Sequence, residues 1–212
     1  MILGLDTTGR DLKLGLTIAG DVRSRLFSND LRHSRQILPQ ILQFLEEEGE
    51  DLESIQALAF SQGPGSFTGL RIAVGVIQGL AYGLNLPVIP VPTMAILAQA
   101  AGQQARVTRV LVAMHAREAE FYGAFYEGCD DVIPCLIGQA QVYTAEMLAN
   151  HDLASWSLAG DGVFLMEEQA DQTQGVIDIT SPDVQNLLQI AEAMLAAGEV
   201  VSALEAAPLY VR

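Results

Sequence analysis

The sequence predicts an α/β protein made of two similar lobes, in which helices cover mainly parallel sheets. Apolar runs of strand length alternate with longer helical segments in the first half of the chain, a pattern typical of βαβ units. The opening pattern then returns near residue 111, which predicts a duplication with lobes at 1–104 and 105–212. Two unrelated βαβ segments are the alternative explanation of the second pattern.

The first lobe is predicted to open with three strands, after which helices and strands alternate. The apolar run at 2–5 stops at Asp6, and leucines fall at every second position over 12–16, the period that strands have. Gly49 can end the first helix in the left-handed conformation, and Thr93 can cap the third. The predicted elements are strands at 2–5, 12–16, 22–27, 57–61 and 87–91 and helices at 34–48, 66–83 and 93–101.

The second lobe is predicted to restart with an apolar strand and a hairpin. Aligning His115 with Asp6 places Phe121 over Leu12, which gives similar apolar patterns in both halves. The final helix has a proline at its first position, where a missing backbone N–H is tolerated. The predicted elements are strands at 111–114 and 157–159, a Gly-Asp-Gly turn at 160–162, and a helix at 181–197 with Pro182 at its first position.

The composition is that of a folded protein. Half of the residues are apolar and 17% are charged, so disorder is not expected. The most apolar stretch, 70–86, carries Arg71 and three glycines, and no membrane span is predicted there. No basic leader precedes an apolar run near residue 1, so we expect a cytoplasmic protein.

The chain is strongly acidic. Eleven basic against 26 acidic residues give a formal net charge of −15. Tight binding of nucleic acid usually requires clustered Lys and Arg, which displace counterions from phosphates. Lys13 is the single lysine. Any role in RNA chemistry is therefore predicted to be indirect, and solubility alone is the other explanation of the charge.

Two segments of the first lobe have features of an anion-binding site. A stiff, glycine-rich turn at 62–71 joins a strand to a helix, so its backbone N–H groups can converge on an anion. The loop after the first strand resembles the first phosphate loop of actin-like ATPases. The alternative for the turn is that its backbone angles simply require glycine. The candidate residues of a residual phosphate loop are Asp6, Thr7, Thr8, Gly63, Gly65 and Ser66.

We find no complete catalytic set in the sequence. The turn is not a Walker loop, because the GxxxxGK[ST] pattern is absent. The counterpart of the phosphate loop in the second lobe, residues 115–117, has neither an acid nor a glycine, which argues against a working ATPase. His33, His115 and His151 stand far apart, so no metal site and no cofactor are predicted.

Two helices of the first lobe are predicted to contact another polypeptide. Glycines at 75, 79 and 83 fall on one face of the second helix, although each costs about 1 kcal/mol against alanine. That helix is apolar nearly all round, and the first helix has a wide apolar surface, which favours a protein–protein interface. The alternative is that other helices of the same chain cover them. The predicted interface residues are Ile37, Leu38, Ile41, Leu42, Leu45, Arg71, Ile72, Gly75, Val76, Gly79 and Gly83.

Four motifs together resemble those of the TsaB family, also called YeaZ. They are Ile-Leu-Gly-Leu-Asp-Thr at 2–7, His-Ser-Arg-Gln-Ile-Leu-Pro at 33–39, Gly-Pro-Gly-Ser-Phe-Thr-Gly-Leu-Arg at 63–71 and Pro-Leu-Tyr-Val-Arg at 208–212. The resemblance covers essentially the whole chain, and the motif at 63–71 is highly specific. The family often has Asp where this chain has His115.

The resemblance implies a duplicated actin-like fold (the ASKHA or ribonuclease H-like class) whose ATP-handling machinery has decayed. It implies a non-catalytic subunit that pairs with the paralogue TsaD, which transfers threonylcarbamoyl to adenosine 37 of ANN-decoding tRNAs. It further implies recruitment of the small ATPase TsaE, a homodimer when alone, and only indirect contact with tRNA. Of the paired-histidine metal site of TsaD, only His33 remains. The alternative is a metallopeptidase-like or ATP-hydrolysing enzyme of the same superfamily.

Overall fold

The computed structural model describes residues 1–28 and 36–211. It divides the chain into two compact units, the first formed by Met1–Thr93 with Asp183–Leu209 and the second by Met94–Pro182 with the residues from Tyr210 onward. This division differs from the predicted lobes at 1–104 and 105–212. The helix that follows Thr93 belongs to the second unit, and the last helix returns to the first.

The first unit contains a five-stranded mixed sheet. Its order is β3-β2-β1-β4-β5, in which β1–β2 and β2–β3 are antiparallel while β1–β4 and β4–β5 are parallel. Two of its four pairings are antiparallel because hairpins join the first three strands, so the expectation of a mainly parallel sheet is wrong. The strands are β1 (Ile2–Asp6), β2 (Leu12–Ile18), β3 (Asp21–Phe27), β4 (Ala57–Ser61) and β5 (Val88–Val91).

The second unit contains a sheet of the same topology. Its order is β10-β9-β6-β7-β8, with antiparallel β6–β7 and β7–β8 pairs and parallel β6–β9 and β9–β10 pairs. In both units the third, second, first, fourth and fifth strands follow one another, which is the duplicated actin-like fold. The strands are β6 (Arg109–Arg117), β7 (Glu120–Glu127), β8 (Cys135–Thr144), β9 (Ser157–Ala159) and β10 (Gly175–Val176).

Six α-helices lie within the described residues. The predicted start of the first helix at Ser34 lies outside those residues, but its end at Gly49, with a left-handed φ of 76°, is confirmed. The last helix begins after Asp183, whose carboxylate accepts a hydrogen bond from the Gln185 N–H at 2.9 Å, so Pro182 is not its first residue. The helices are α1 (Ile37–Glu48), α2 (Phe67–Leu84), α3 (Thr93–Ala105), α4 (Ala145–Leu148), α5 (Glu167–Ala170) and α6 (Val184–Ala197).

Helices cover both faces of the first sheet. Leu3 and Leu5 of β1 pack in one core cluster with residues of α1 and α2. Gly4, between them, points the opposite way because side chains alternate along a strand. A Cβ built on Gly4 would lie 3.0 Å from Leu188 of α6. Thus α1 and α2 cover one face and α6 covers the other, which is why the last helix belongs to the first unit.

The predicted alignment of the two halves is wrong by one residue. Asp6 pairs with Lys13, and Met114 pairs with Tyr122. If Phe121 occupies the position of Leu12, then Met114 and not His115 occupies the position of Asp6. Between these pairs the second unit has one residue more than the first, and its register shifts between His115 and Arg117, so alignment by sequence pattern alone misplaced the end of the strand.

One helix of the described residues could cross a membrane by length and composition. This helix is α2, whose 18 residues have a mean hydropathy of 1.3 and are 33% buried inside the protein. The helix contains Arg71 and the three glycines on which the prediction against a membrane span depended. One such helix is weak support for a membrane protein, because core helices of soluble proteins meet the same criterion.

Candidate functional site

The loop after β1 holds a buried carboxylate. Asp6 is 1% exposed, and its Oδ1 accepts hydrogen bonds from the Thr8 hydroxyl at 2.7 Å and the Thr8 N–H at 3.2 Å. The Lys13 Nζ lies 3.8 Å from its other oxygen. Burial raises the pKa of Asp6, and Lys13 and Thr8 oppose that rise. The carboxylate is therefore engaged by its own chain on both oxygens.

The glycine-rich turn closes over this loop. The Ser66 N–H donates to the Thr8 carbonyl at 2.8 Å, and the Thr7 hydroxyl donates to the Gly69 carbonyl at 2.9 Å. A Cβ on Gly65 would lie 2.6 Å from the Thr8 Cβ, and a Cβ on Gly69 would lie 2.0 Å from the backbone carbonyl oxygen of Thr7. The glycines of the turn are required because the two segments approach too closely for a side chain.

The same turn is fixed on its other side by Thr93. The Gly63 N–H donates to the Thr93 hydroxyl at 3.1 Å, and the Thr93 N–H donates to the Gly63 carbonyl at 2.9 Å. Thr93 is the first residue of α3, so it is not the capping residue before the helix that the sequence predicted, and its hydroxyl accepts a bond from the turn. Gly63 has a φ of +116°, a conformation that favours glycine.

All six candidate phosphate-loop residues therefore lie at one place. Ser66 also caps α2 by accepting a hydrogen bond from the Gly69 N–H at 3.2 Å. The contacts join the end of β1 to the start of α2. The polar groups described above already bond to one another, so the direct effect of these contacts is to stabilise the first unit. We call this set of contacts between the β1 loop and the glycine-rich turn a brace. Within residues 1–28 and 36–211, no group of three or more His, Cys, Asp or Glu side chains is placed to hold a metal ion.

A similar brace occurs in the second unit. The His115 N–H donates to the Asp161 carboxylate at 2.9 Å, and the Gly162 N–H donates to the Ala113 carbonyl at 2.9 Å. Gly160 has a φ of +112°, and a Cβ there would lie 2.0 Å from the Ala113 oxygen. The sequence indicated a turn at 160–162 but not its contact with β6, because the partners are more than forty residues apart.

The outer face of α2 is open. Gly75, Gly79 and Gly83 are exposed, and apart from the adjoining backbone of the helix itself none of the described residues lies within 4 Å of a Cβ built on them. Phe67 at one end is 57% exposed, with the Arg71 guanidinium 3.5 Å from the centre of its ring. In the part of the chain that the structure describes, this face of the helix has no cover, so the contact with a second polypeptide that the sequence predicted stays a prediction.

Several predicted interface residues are instead part of the core. Ile37, Ile41 and Leu45 of α1 are at most 2% exposed and pack in the first unit's core cluster. Helical periodicity turns these positions toward the sheet, and it leaves Leu38 and Leu42 outside at 42% and 45% exposure. On α2, the half-buried Ile72 and Val76 also pack against this core cluster.

Sequence reasoning missed two aromatic residues on the open face. Tyr82 is 77% exposed, and Phe67 precedes Arg71 by one helical turn. The spacing of four that links positions 67, 71, 75, 79 and 83 could have found Phe67, because residues four apart share a helix face. We call Phe67, Arg71, Gly75, Gly79, Tyr82 and Gly83 the α2 face.

Comparison with known proteins gives matches over the whole chain. A family model described as TsaD, tRNA N6-adenosine threonylcarbamoyltransferase, matches residues 29–207. A protein of Escherichia coli K12 named tRNA threonylcarbamoyladenosine biosynthesis protein TsaB is 33% identical, and the match covers all of this chain and 94% of that protein. A protein of the same name from Haemophilus influenzae is 31% identical and is covered to 93%.

A solved structure agrees with these matches. The structure described as YeaZ from Pseudomonas aeruginosa superposes with a TM-score of 0.85 at 34% identity. The match covers 98% of this chain and 99% of that one. The resemblance inferred from the four motifs is confirmed.

Proposed function

Because this chain belongs to the TsaB family of tRNA threonylcarbamoyladenosine biosynthesis proteins, we propose that it is a non-catalytic partner subunit in the formation of N6-threonylcarbamoyladenosine at position 37 of ANN-decoding tRNAs. Its partner is a TsaD-like catalytic subunit, whose family model also matches this chain. The pair helps to recruit a TsaE-like ATPase and works in the cytoplasm.

The open glycines of α2 carry this proposal. Each glycine inside a helix costs about 1 kcal/mol relative to alanine. Among the described residues, no contact requires a missing Cβ at Gly75, Gly79 or Gly83. At Gly65 and Gly69, by contrast, a close contact within the chain explains the residue. Close approach by the backbone of a second polypeptide supplies the missing reason on the α2 face.

The remaining residues of the α2 face suit an interface. Aromatic and arginine side chains carry much of the binding energy in protein interfaces, particularly where they become fully desolvated. Here Arg71 stacks on Phe67 at one end of the helix, and Tyr82 extends into solvent near the other end. The exposed Leu38 and Leu42 of α1 belong to the proposed contact as well.

The braced loop supports a role without chemistry. In this chain, Asp6 and Thr7 hold the end of β1 against α2, because Asp6 bonds to Thr8 and Thr7 bonds to Gly69. The same contacts keep α2 at a fixed height above its sheet. The residual phosphate loop is thus a device that positions the α2 face for the partner.

The charge supports indirect contact with tRNA. A net charge of −15 repels the phosphate backbone, and the few basic residues do not compensate for it. The tRNA is therefore bound through the complex rather than by this chain. In the absence of the catalytic subunit, two copies pair through the same α2 face as a homodimer.

The test is co-elution of the full chain with a TsaD-like subunit in size-exclusion chromatography. Gly79→Arg places a long charged side chain in the proposed contact, and we expect affinity to fall about a hundredfold, or about 2.7 kcal/mol. Because the position is open, the variant folds normally.

The matched control is Ala196→Arg, which adds the same side chain to an exposed position of α6. It should bind the catalytic subunit as the unmodified chain does. Unchanged binding by Gly79→Arg, or equal loss in both variants, would exclude the α2 face as the contact.

A further inference from the structure

The segment that follows α6 crosses the first unit beside α2. It starts at β5, where the Val88 N–H donates to the Val201 carbonyl at 2.9 Å and the Val201 N–H donates to the Val88 carbonyl at 2.8 Å. It reaches the glycine-rich turn, where the Leu209 N–H donates to the Gln62 carbonyl at 2.9 Å. We call residues 201–209 the strap, and its last two residues begin the Pro-Leu-Tyr-Val-Arg motif.

Two glutamine side chains fasten the strap to α2 and to the turn before it. The Gln78 amide donates to the Ala206 carbonyl at 2.9 Å, and the Gln62 amide donates to the Ala207 carbonyl at 3.0 Å. Both glutamines are half-buried, and the two bonds join residues that are 128 and 145 positions apart. The strap is thus tied both to the middle of α2 and to the turn from which the helix starts.

The strap is itself held in place. The Glu205 carboxylate accepts hydrogen bonds from the Ser202 hydroxyl at 2.7 Å and from the Ser202 N–H at 3.0 Å, which closes a turn. On either side of this turn's outer residues, Ala203 and Ala206 are buried in the core cluster that also contains Ile77 of α2. Because its backbone is anchored in the same core, the strap can restrain the helix.

The strap lies along the side of α2 that borders the proposed contact. Arg71, Gln78 and Tyr82 share this side of the helix, because residues separated by seven or four positions lie one above another. Gln78 also directly precedes Gly79 of the α2 face. The bond from Gln78 to the strap therefore holds the helix at the border of that face.

α2 needs such support more than an ordinary helix does. Glycine loses more backbone freedom on folding than other residues and weakens a helix interior, and three glycines fall within residues 75–83. The side of the helix on which they lie has no cover among the described residues. A helix weakened in this way binds at full affinity only if it is already held in the bound conformation, since ordering a surface on binding costs affinity.

We propose that the strap, through Gln78 and Gln62, holds α2 in the conformation that a TsaD-like subunit binds, an inference that rests on the proposed function. Gln78 is a positioning residue, because it acts through the Ala206 carbonyl and not by touching the partner. When the strap is released, α2 samples conformations of which a fraction binds, and the apparent affinity falls by that fraction.

The experiment compares Gln78→Met with the unmodified full chain. Methionine is a similarly long side chain and an equally good helix former, but it cannot donate to the Ala206 carbonyl. In the isolated chain, we expect amide hydrogen exchange within residues 76–84 to become about fivefold faster, because local opening of α2 is easier. In calorimetric titration with a TsaD-like subunit, we expect affinity to fall about threefold, and about tenfold when Gln62→Met is added.

Gln185→Met is the control, since Gln185 is exposed on α6 of the same unit. It should change neither the exchange of α2 nor the affinity, and circular dichroism verifies that each variant folds. A Gln78→Met chain that is less stable but exchanges and binds normally would show that the bond only stabilises the fold, which overturns the proposal.

Gly79→Arg in the same titration separates this proposal from the proposed function. If Gly79→Arg binds weakly while the double variant at Gln62 and Gln78 binds as the unmodified chain does, the strap has no positioning role and the proposed function stands. Normal binding by Gly79→Arg overturns both, because the α2 face is then not the contact.

Discussion

The two units differ most in the segment that joins their fourth and fifth strands. In the first unit this segment is α2, a helix of 18 residues with an open glycine face. In the second unit it contains a short 3₁₀ helix, Val163–Met166, followed by the four residues of α5. Both segments start with a glycine turn that packs against the end of the first strand. The turn is thus a shared feature of the fold, and the long helix is a specialisation of one unit.

The comparison separates two uses of glycine in one chain. Gly69 and Gly160 allow contacts within their own units, where a Cβ would lie 2.0 Å from a backbone oxygen. At Gly79, by contrast, no contact within the described residues requires a missing Cβ. Substitution of Gly69 or Gly160 should therefore change the stability of the chain, and substitution of Gly79 should change the binding of a partner.

The largest expected effect is on the two braces. Gly160→Ala and Gly69→Ala should each lower the free energy of unfolding by about 2–4 kcal/mol, because the backbone must move to admit a methyl group. Gly160→Ala should be the more severe, since its φ of +112° also disfavours alanine. Urea denaturation of the full chain measures both.

The control for the braces is Gly9→Ala, where no described residue lies within 4 Å of the added methyl and φ is not in the left-handed region. Its unfolding free energy should change by less than about 0.5 kcal/mol. If Gly160→Ala is as mild as Gly9→Ala, the second brace does not stabilise its unit and the comparison fails.

A smaller effect is expected at Asp6, whose counterpart in the second unit is the apolar Met114. The pKa of Asp6 is raised in the folded state. The contribution of Asp6 to the free energy of unfolding is therefore fully present below the ordinary pKa of an aspartate and is lost as pH rises through the pKa of the folded state. Asp6→Asn avoids that loss. The unfolding free energy of Asp6→Asn minus that of the unmodified chain should therefore increase with pH above about 4, by at most about 1.4 kcal/mol per pH unit.

Asp51→Asn gives the opposite sign in the same pH series. Hydrogen bonds from Ser54 lower the pKa of Asp51, so its contribution is present at neutral pH and is lost as pH falls. The unfolding free energy of this variant relative to the unmodified chain should decrease as pH rises. A flat difference for Asp6→Asn would mean that Lys13 and Thr8 compensate fully for the burial of the carboxylate.

The smallest effect is on the α2 face itself. Gly79→Ala should raise the unfolding free energy by about 0.5–1 kcal/mol, because alanine is the better helix former and its methyl group meets open space. The same variant should bind a TsaD-like subunit about tenfold more weakly. Thermal unfolding and isothermal titration calorimetry with the purified subunit measure the two changes, and a variant that is more stable with undiminished affinity would contradict close backbone packing.

Much of the local structure could be predicted from the sequence. Strands at 57–61 and 157–159 agree with β4 and β9, and Ser66 and Asn85 bracket α2 close to the predicted 66–83. These features depend on apolar periodicity and on residues that begin or end a helix, both of which act within a few positions. The strands β8 and β10 were missed, since β8 lacks a clear alternation and β10 has two residues.

The candidate site was predicted less completely. The glycine spacing on α2 identified an exposed face, but it could not distinguish Ile37, Ile41 and Leu45, which pack inward, from Leu38 and Leu42, which do not. That distinction requires the position of α1 on its sheet. The wide apolar surface that the sequence predicted for α1 consists of a buried face, which packs on the core, and an exposed face.

The sequence by itself determined the fold class, the family and the glycine-rich turn, because each depends on residues close together along the chain. Only the tertiary structure decided that α6 covers Gly4, that Gly69 lies against Thr7, and that Thr93 bonds to Gly63. These contacts join residues that are distant in sequence and leave no periodic signal. The division into units follows the same rule, since the last helix belongs with the sheet on which it packs and not with its neighbours along the chain.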